Sequence, residues 1–242
     1  MAFPQVAATN SGNSGANATS HVINMPAGVA VGNLVIVCFC SDNDLTTVSV
    51  SSGTGWAQLF TAARSGSCRV SVYWKVADGS GDNLTIDTSA SEGSAHTSYR
   101  ITGFDSGTAP EAGTAANDFG TTPDPPTLNP AGWDIEDTLW IAIYGWDTGD
   151  RVHDAYPANY TGNQVTNRWN STDGVGIAVS TRELNAASDD PGTGSMTTNV
   201  TWVANTIAVR PAAAVTGQPT RRRWNQIPHM GGNKRFTQVG SW

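Results

Sequence analysis

The segment EDTLWIAIYGWD, Glu136 to Asp147, is the most apolar run in the chain and reads as a β-strand. A strand sends successive side chains to opposite faces, so Leu139, Ile141 and Ile143 share one face and Trp140, Ala142, Tyr144 and Trp146 the other. Both faces call for burial. The expected place is a central strand, or a strand whose second face meets a partner. The aromatic set Trp140, Tyr144 and Trp146 is then either core or a surface on which a ligand stacks, and core or protein contact is the expectation.

The same phrase stands 105 residues earlier as GNLVIVCFCSD, Gly32 to Asp42, with Leu34 against Leu139, Ile36 against Ile141 and Cys38 against Ile143. Repeats of this kind rank above local signals in deciding a fold. Upstream, Ile23-Asn24-Met25-Pro26-Ala27-Gly28 is answered by Leu128-Asn129-Pro130-Ala131-Gly132. Downstream, VSVYWKVA (Val70 to Ala77) matches AVSTRELN (Ala178 to Asn185), and AHTSYRITG (Ala95 to Gly103) matches VANTIAVRP (Val203 to Pro211). Residues 1–108 and 109–211 therefore read as two versions of one β-rich half.

Strands are expected at about 3–9, 20–24, 33–41, 57–62, 69–77, 83–88 and 95–103, then at 112–119, 126–129, 138–146, 160–166, 175–184, 195–199 and 201–210. Short strands with frequent turns mean a sandwich or barrel rather than βαβ units. No window holds a helical period. The expected fold is an all-β, jelly-roll-like β-sandwich built from two similar halves over residues 1–211, followed by an extended arm over 212–242.

Charge divides the chain at the same point. All 20 acidic residues precede Arg210, while five of the 13 basic ones (Arg221, Arg222, Arg223, Lys234 and Arg235) follow it. The body thus carries a net −12 and the arm +5. An acidic body is a poor partner for a phosphate backbone, so nucleic-acid binding is not expected. No apolar run reaches transmembrane length, and the N-terminus MAFPQVAATN has neither a basic nor an apolar signal region. Cys38 and Cys40, two apart on one strand, are badly placed to bridge each other, and three cysteines form no disulfide framework. Buried free thiols are expected, which suits folding in a reducing cytoplasm.

Few residues offer chemistry. Asp78, Ser80 and Asp82 are spaced like part of a calcium loop but lack the remaining ligands, and read as a polar turn. His153 lies near Asp150 and Asp154 in what reads as a solvated loop. Glu92, Glu111, Glu136 and Glu183 are the only glutamates, and a glycosidase would need two carboxylates converging across a cleft. No catalytic residue, metal site or cofactor is expected. The arm differs. Arg221, Arg222, Arg223, Trp224, Ile227, Met230, Arg235, Phe236 and Trp242 mix guanidinium with large apolar groups, a composition suited to anchoring on an acidic protein surface.

The pattern PAG…GNLVIVC…GWAQL…VSVYWKVADGSGDNLTID, answered by PAG…DTLWIAIYGWD…VSTRELNAASDDPGTG…WVANTIAVRPA, resembles a family of β-sandwich structural proteins of tailed-bacteriophage virions over residues 3–211. The resemblance implies a non-enzymatic virion protein, made in the bacterial cytoplasm and assembled with other virion proteins, such as the major capsid protein or tail proteins. The expected role is a capsid decoration (cement) protein, homo-oligomeric on the particle and held by its C-terminal arm. The alternative is a tail or tail-fibre glycan-binding module for host attachment.

Overall fold

The computed structural model describes residues 1–43, 47–64, 66–148, 150–171 and 174–213. Among them the chain is all strand, turn and loop, with no helix. The first half holds β1 (Gln5–Asn13), β2 (Ala18–Val22), β3 (Leu34–Asp42), β4 (Val48–Ser52), β5 (Ala57–Ala63), β6 (Cys68–Val76), β7 (Thr85–Glu92) and β8 (Ser94–Thr102). The second holds β9 (Glu111–Ala112), β10 (Ala116–Gly120), β11 (Glu136–Asp147), β12 (His153–Ala155), β13 (Gly162–Arg168), β14 (Val175–Ala186), β15 (Ser195–Met196) and β16 (Val200–Val209).

The first half makes a five-stranded sheet, β1-β8-β3-β6-β5, and a three-stranded sheet, β2-β7-β4. Alternation of the chain between two such sheets is the jelly-roll pattern. The second half repeats it as β10-β16-β11-β14-β13, with β9 also on β16, and a smaller layer holding the β12-β15 pair. Where β2 meets β7, Ile23 N–H donates to Leu84 carbonyl at 3.0 Å; at the matching place Leu128 N–H donates to Asp189 carbonyl at 2.9 Å. The register agrees as well. Leu34 faces Ile101 across β3 and β8, and Leu139 faces Val209 across β11 and β16.

The two large sheets contribute to one core. Leu34, Ile36, Cys38, Cys40, Val70, Val72 and Ile101 from the first cluster with Leu139, Ile141, Ile143, Ile177, Val179, Val203 and Val209 from the second. Burying apolar surface at about 25 cal/mol per Å2 makes this shared layer the main source of stability. Smaller cores lie outside it. Val35, Val37, Phe39 and Tyr73 on the outer face of the first sheet meet Ile23, Leu84 and Ile86 from the three-stranded layer. The open sides are closed by polar contacts. Asn13 reaches Asn167 at 3.0 Å and Asn167 reaches Ser11 at 3.1 Å on one side, and Arg64 meets Asp118 at 3.4 Å on the other.

Some expectations are corrected. Strands β4 and β12 had no counterpart in the sequence reading, and the strand expected at 126–129 is reduced to one bridge, Leu128 with Asp189. The match of VSVYWKVA to AVSTRELN is out by one residue. Leu34 faces Val76 and Leu139 faces Glu183, so Val70 corresponds to Ile177, not Ala178. A slip of one exchanges the faces of a strand, and Ile177 points into the shared core as Val70 does, whereas Ala178 does not.

Candidate functional site

The root of the arm is built from the end of β16. Arg210 Nε donates to Glu136 Oε2 at 2.8 Å, and its Nη2 makes a second, shorter bond to Oε1. This two-pronged pairing of guanidinium and carboxylate fixes orientation as well as charge. The same guanidinium lies 5.7 Å from the centre of the Trp133 ring. Glu136 is buried, and its hydrogen bonds hold Arg210 above its ordinary pKa. Beyond it, Pro211 bridges to Phe104, and Ala212 N–H donates to Gly103 carbonyl at 2.9 Å. Asp105 is held below the usual carboxylate range by the Thr108 hydroxyl, then by the Gly107 N–H, with Arg210 adding to the effect. A recess of about 280 Å3 lies among Met1, Asp105, Glu136, Arg210, Pro211 and Ala213. The chain is therefore bonded to the sandwich up to Ala212. The arm residues named from sequence, Arg221, Arg222, Arg223, Trp224, Ile227, Met230, Arg235, Phe236 and Trp242, lie outside the described residues.

Trp140, Tyr144 and Trp146 are each 0% exposed. They stand on the outer face of the second large sheet, away from the shared core, and loops cover them in two groups. Tyr144 and Trp146 pack with Ala178, Met196, Val200 and Trp202. Trp140 packs with Leu128, Trp133, Tyr160 and Ala208. Two of them bond inside the protein: Trp140 Nε1 donates to Leu184 carbonyl at 3.3 Å and Tyr144 Oη to Ala155 carbonyl at 3.0 Å, while Trp146 Nε1 is buried with no hydrogen-bond partner. The aromatic face is core, the outcome expected from the sequence, and the alternative of a surface platform is set aside. His153 belongs to this packing. It stacks 5.7 Å from Tyr144 and tilts 4.3 Å from Tyr156, and burial lowers its pKa against a smaller opposing pull from Asp154.

The glutamates do not converge. Glu183 faces Leu139 across β11 and β14 and so lies on the inward face of the second sheet; Glu136, three residues before Leu139, lies on the outer face. Glu136 is consumed by Arg210, and Glu183 Oε1 accepts a 2.8 Å bond from Gln5 Nε2.

The turn at Asp78 holds a cation supplied by the chain itself. Lys75 Nζ lies 3.0 Å from Asp78, 2.8 Å from Asp82 and 2.6 Å from the Ser80 carbonyl. Burial would lower the Lys75 pKa, but Asp82 and Asp78 outweigh it and raise it. Asp78 is pulled down to about 2, first by the Ser80 N–H and then by Lys75. The segment is the polar turn expected from the sequence, with an ammonium held by its carboxylates. The signal was present as Lys75, Asp78, Ser80 and Asp82 around one turn.

Sequence reading also missed a buried polar cluster. His21 Nδ1 is 2.9 Å from Ser94 Oγ and its Nε2 is 3.1 Å from Thr88 Oγ1, while His96 Nε2 accepts the Asn24 N–H at 2.9 Å. Burial, then the neighbouring His21, takes His96 down to about 4. In a serine–histidine triad a carboxylate orients the histidine. Here a threonine hydroxyl takes that place and Ser94 is 1% exposed, so the cluster is built for holding β2 to β8. Cys38, Cys40 and Cys68 are free and fully buried, and burial pushes the Cys38 thiol up to about 12. No group of three or more metal-ligating side chains occurs among the described residues.

No protein-family model matches the chain. No curated protein matches it, and no solved structure does.

Proposed function

We propose that the chain is a non-enzymatic structural protein of a tailed-bacteriophage virion, acting as a capsid decoration protein that fastens to neighbouring subunits through its C-terminal arm. The observation that carries the reading is the division of charge and anchoring groups at the arm root. A rigid body of net −12 ends in a braced exit at Arg210–Ala212, and the arm beyond that exit has a net charge of +5 and is rich in Trp, Phe and Arg. Buried aromatics and arginines dominate such interfaces. The strand and turn pattern that resembles virion sandwich proteins supports the same reading.

The tail-fibre alternative, with Trp140, Tyr144 and Trp146 stacking sugars, loses that support because these side chains are enclosed. The test is to delete residues 217–242, add the purified protein to particles lacking it, and measure occupancy. The truncated protein should remain folded and fail to load, while the full chain loads. Full occupancy by the truncated protein would overturn the reading. Copy number per virion then separates a head shell from a tail.

A further inference from the structure

The two halves are not equivalent at one place. In the first half, Ala57 pairs with Trp74 across β5 and β6; at the same register in the second, Gly162 pairs with Thr181 across β13 and β14. A large indole is thus replaced by a hydroxyl, and its partner has no side chain at all. The result is a cleft of about 400 Å3 lined by Asn159, Thr161, Gly162, Asn163, Thr181, Arg182 and Glu183. Gly162 is required there, since a Cβ would stand 2.7 Å from Thr181 Oγ1 and 3.0 Å from its carbonyl.

We infer that this cleft binds a neutral saccharide, one or two pyranose units of a larger glycan. The size is that of small-ligand sites. The lining side chains are amide, hydroxyl and charged groups, which favours a polar ligand. Both of its charged groups are already bonded within the protein. Arg182 Nη1 is 3.0 Å from Asp189 Oδ1, and that buried carboxylate also accepts the Tyr160 hydroxyl at 2.5 Å. Glu183 is held by Gln5. An anion would meet the Glu183 carboxylate, and a divalent cation would find only one carboxylate and an arginine. Vicinal hydroxyls, which donate and accept together, match side-by-side amide, guanidinium and carboxylate groups.

The lining is also preset. Asn163 Nδ2 donates to Thr181 Oγ1 at 3.0 Å, and Asn163 carbonyl accepts the Tyr99 hydroxyl of the first sheet at 3.2 Å. Asn159 and Asn163 hold φ of 69° and 44°, two of the four non-glycine residues with positive φ among the described residues. Such strain gathers at binding sites because it fixes side chains in place. None of the lining residues belongs to the arm, so the inference stands whether the proposed decoration role holds or fails.

The test is saturation-transfer NMR on the full chain with the methyl glycosides of glucose, galactose, N-acetylglucosamine and rhamnose, with sialic acid as the anionic comparison. A surface polysaccharide purified from a bacterial host forms a second arm, to separate free sugars from polymer. Binding of at least one neutral glycoside or of the polymer is expected. It should fall about tenfold or more in Glu183→Ala and Asn159→Gly, the loss of one or two hydrogen bonds. It should vanish in Thr181→Trp, which restores the side chain of the first half. Asn159→Gly removes a strained side chain and keeps the test valid should Thr181→Trp fail to fold. Binding of sialic acid alone, binding equal in all variants, or no binding of any probe would overturn the inference.

Discussion

At the scale of single residues, burial decides roles that residue type leaves open. Trp140 is enclosed, bonded through its indole N–H and packed against Trp133 and Tyr160. Trp140→Ala should cost about 3–5 kcal/mol in denaturant unfolding, the usual range for emptying a large buried ring. An unchanged midpoint would mean that the loops over it are not the packed layer described. Lys75 makes a different prediction. The folded pKa of Asp78, about 2, lies below its ordinary 3.8, so this carboxylate stabilises the fold above that ordinary value. The contribution is lost as pH falls from there towards about 2. Lys75→Met removes one of the two main causes of the shift and leaves the Ser80 N–H. The fall of Tm with pH in that window should become shallower, without disappearing, in a thermal-shift series.

At the scale of elements, the apolar strands were legible and the light ones were not. β3 and β11 declare themselves by alternation on both faces, and the burial of both faces of β11 follows from its aromatics. β4, with Ser-Val-Ser alternation, and the three-residue β12 carry too little apolar content to stand out, and each is held by its partner strand rather than by its own propensity. The one-residue slip in β14 has the same origin. Matching Val and Ala by type ignores which face each serves, and only pairing with β11 settles it. The cleft was illegible because residues 159–163 and 181–183 meet only through the irregular register between Gly162 and Val165. The arm rests on composition alone, its residues from 214 lying outside the described ones, and the Arg210–Glu136 pair that ends the described body joins residues far apart in sequence. Close packing between elements also sets a glycine. A methyl at Gly176 would stand 2.0 Å from Trp146 Cζ2. Gly176→Ala should therefore destabilise by about 1–3 kcal/mol, as overpacking does, with a lowered Tm as the readout. A neutral result would show that β14 can move away from Trp146.

At the scale of the whole molecule, two jelly rolls share the layer between their large sheets, and among the described residues neither large sheet has another cover for its inward face. Unfolding should therefore be one transition. Tryptophan fluorescence reports on both halves, through Trp56 and Trp74 in the first and five tryptophans in the second, far-UV circular dichroism on all strands, and the two curves should coincide in urea. Separate midpoints would divide the body into independent halves. The shared layer also imposes an order on synthesis. Each jelly roll is contiguous in sequence, so the first can close while the ribosome is still making the second. Until β11, β14 and β16 emerge, however, the row Leu34, Ile36, Val70, Val72 and Ile101 faces water. During that interval the nascent chain carries a broad sticky sheet, open to chaperones and to the matching sheet of another unfinished copy. The offset between the halves thus sets how long each molecule spends exposed, and a slow stretch of translation after the first jelly roll would favour tangled pairs over finished monomers.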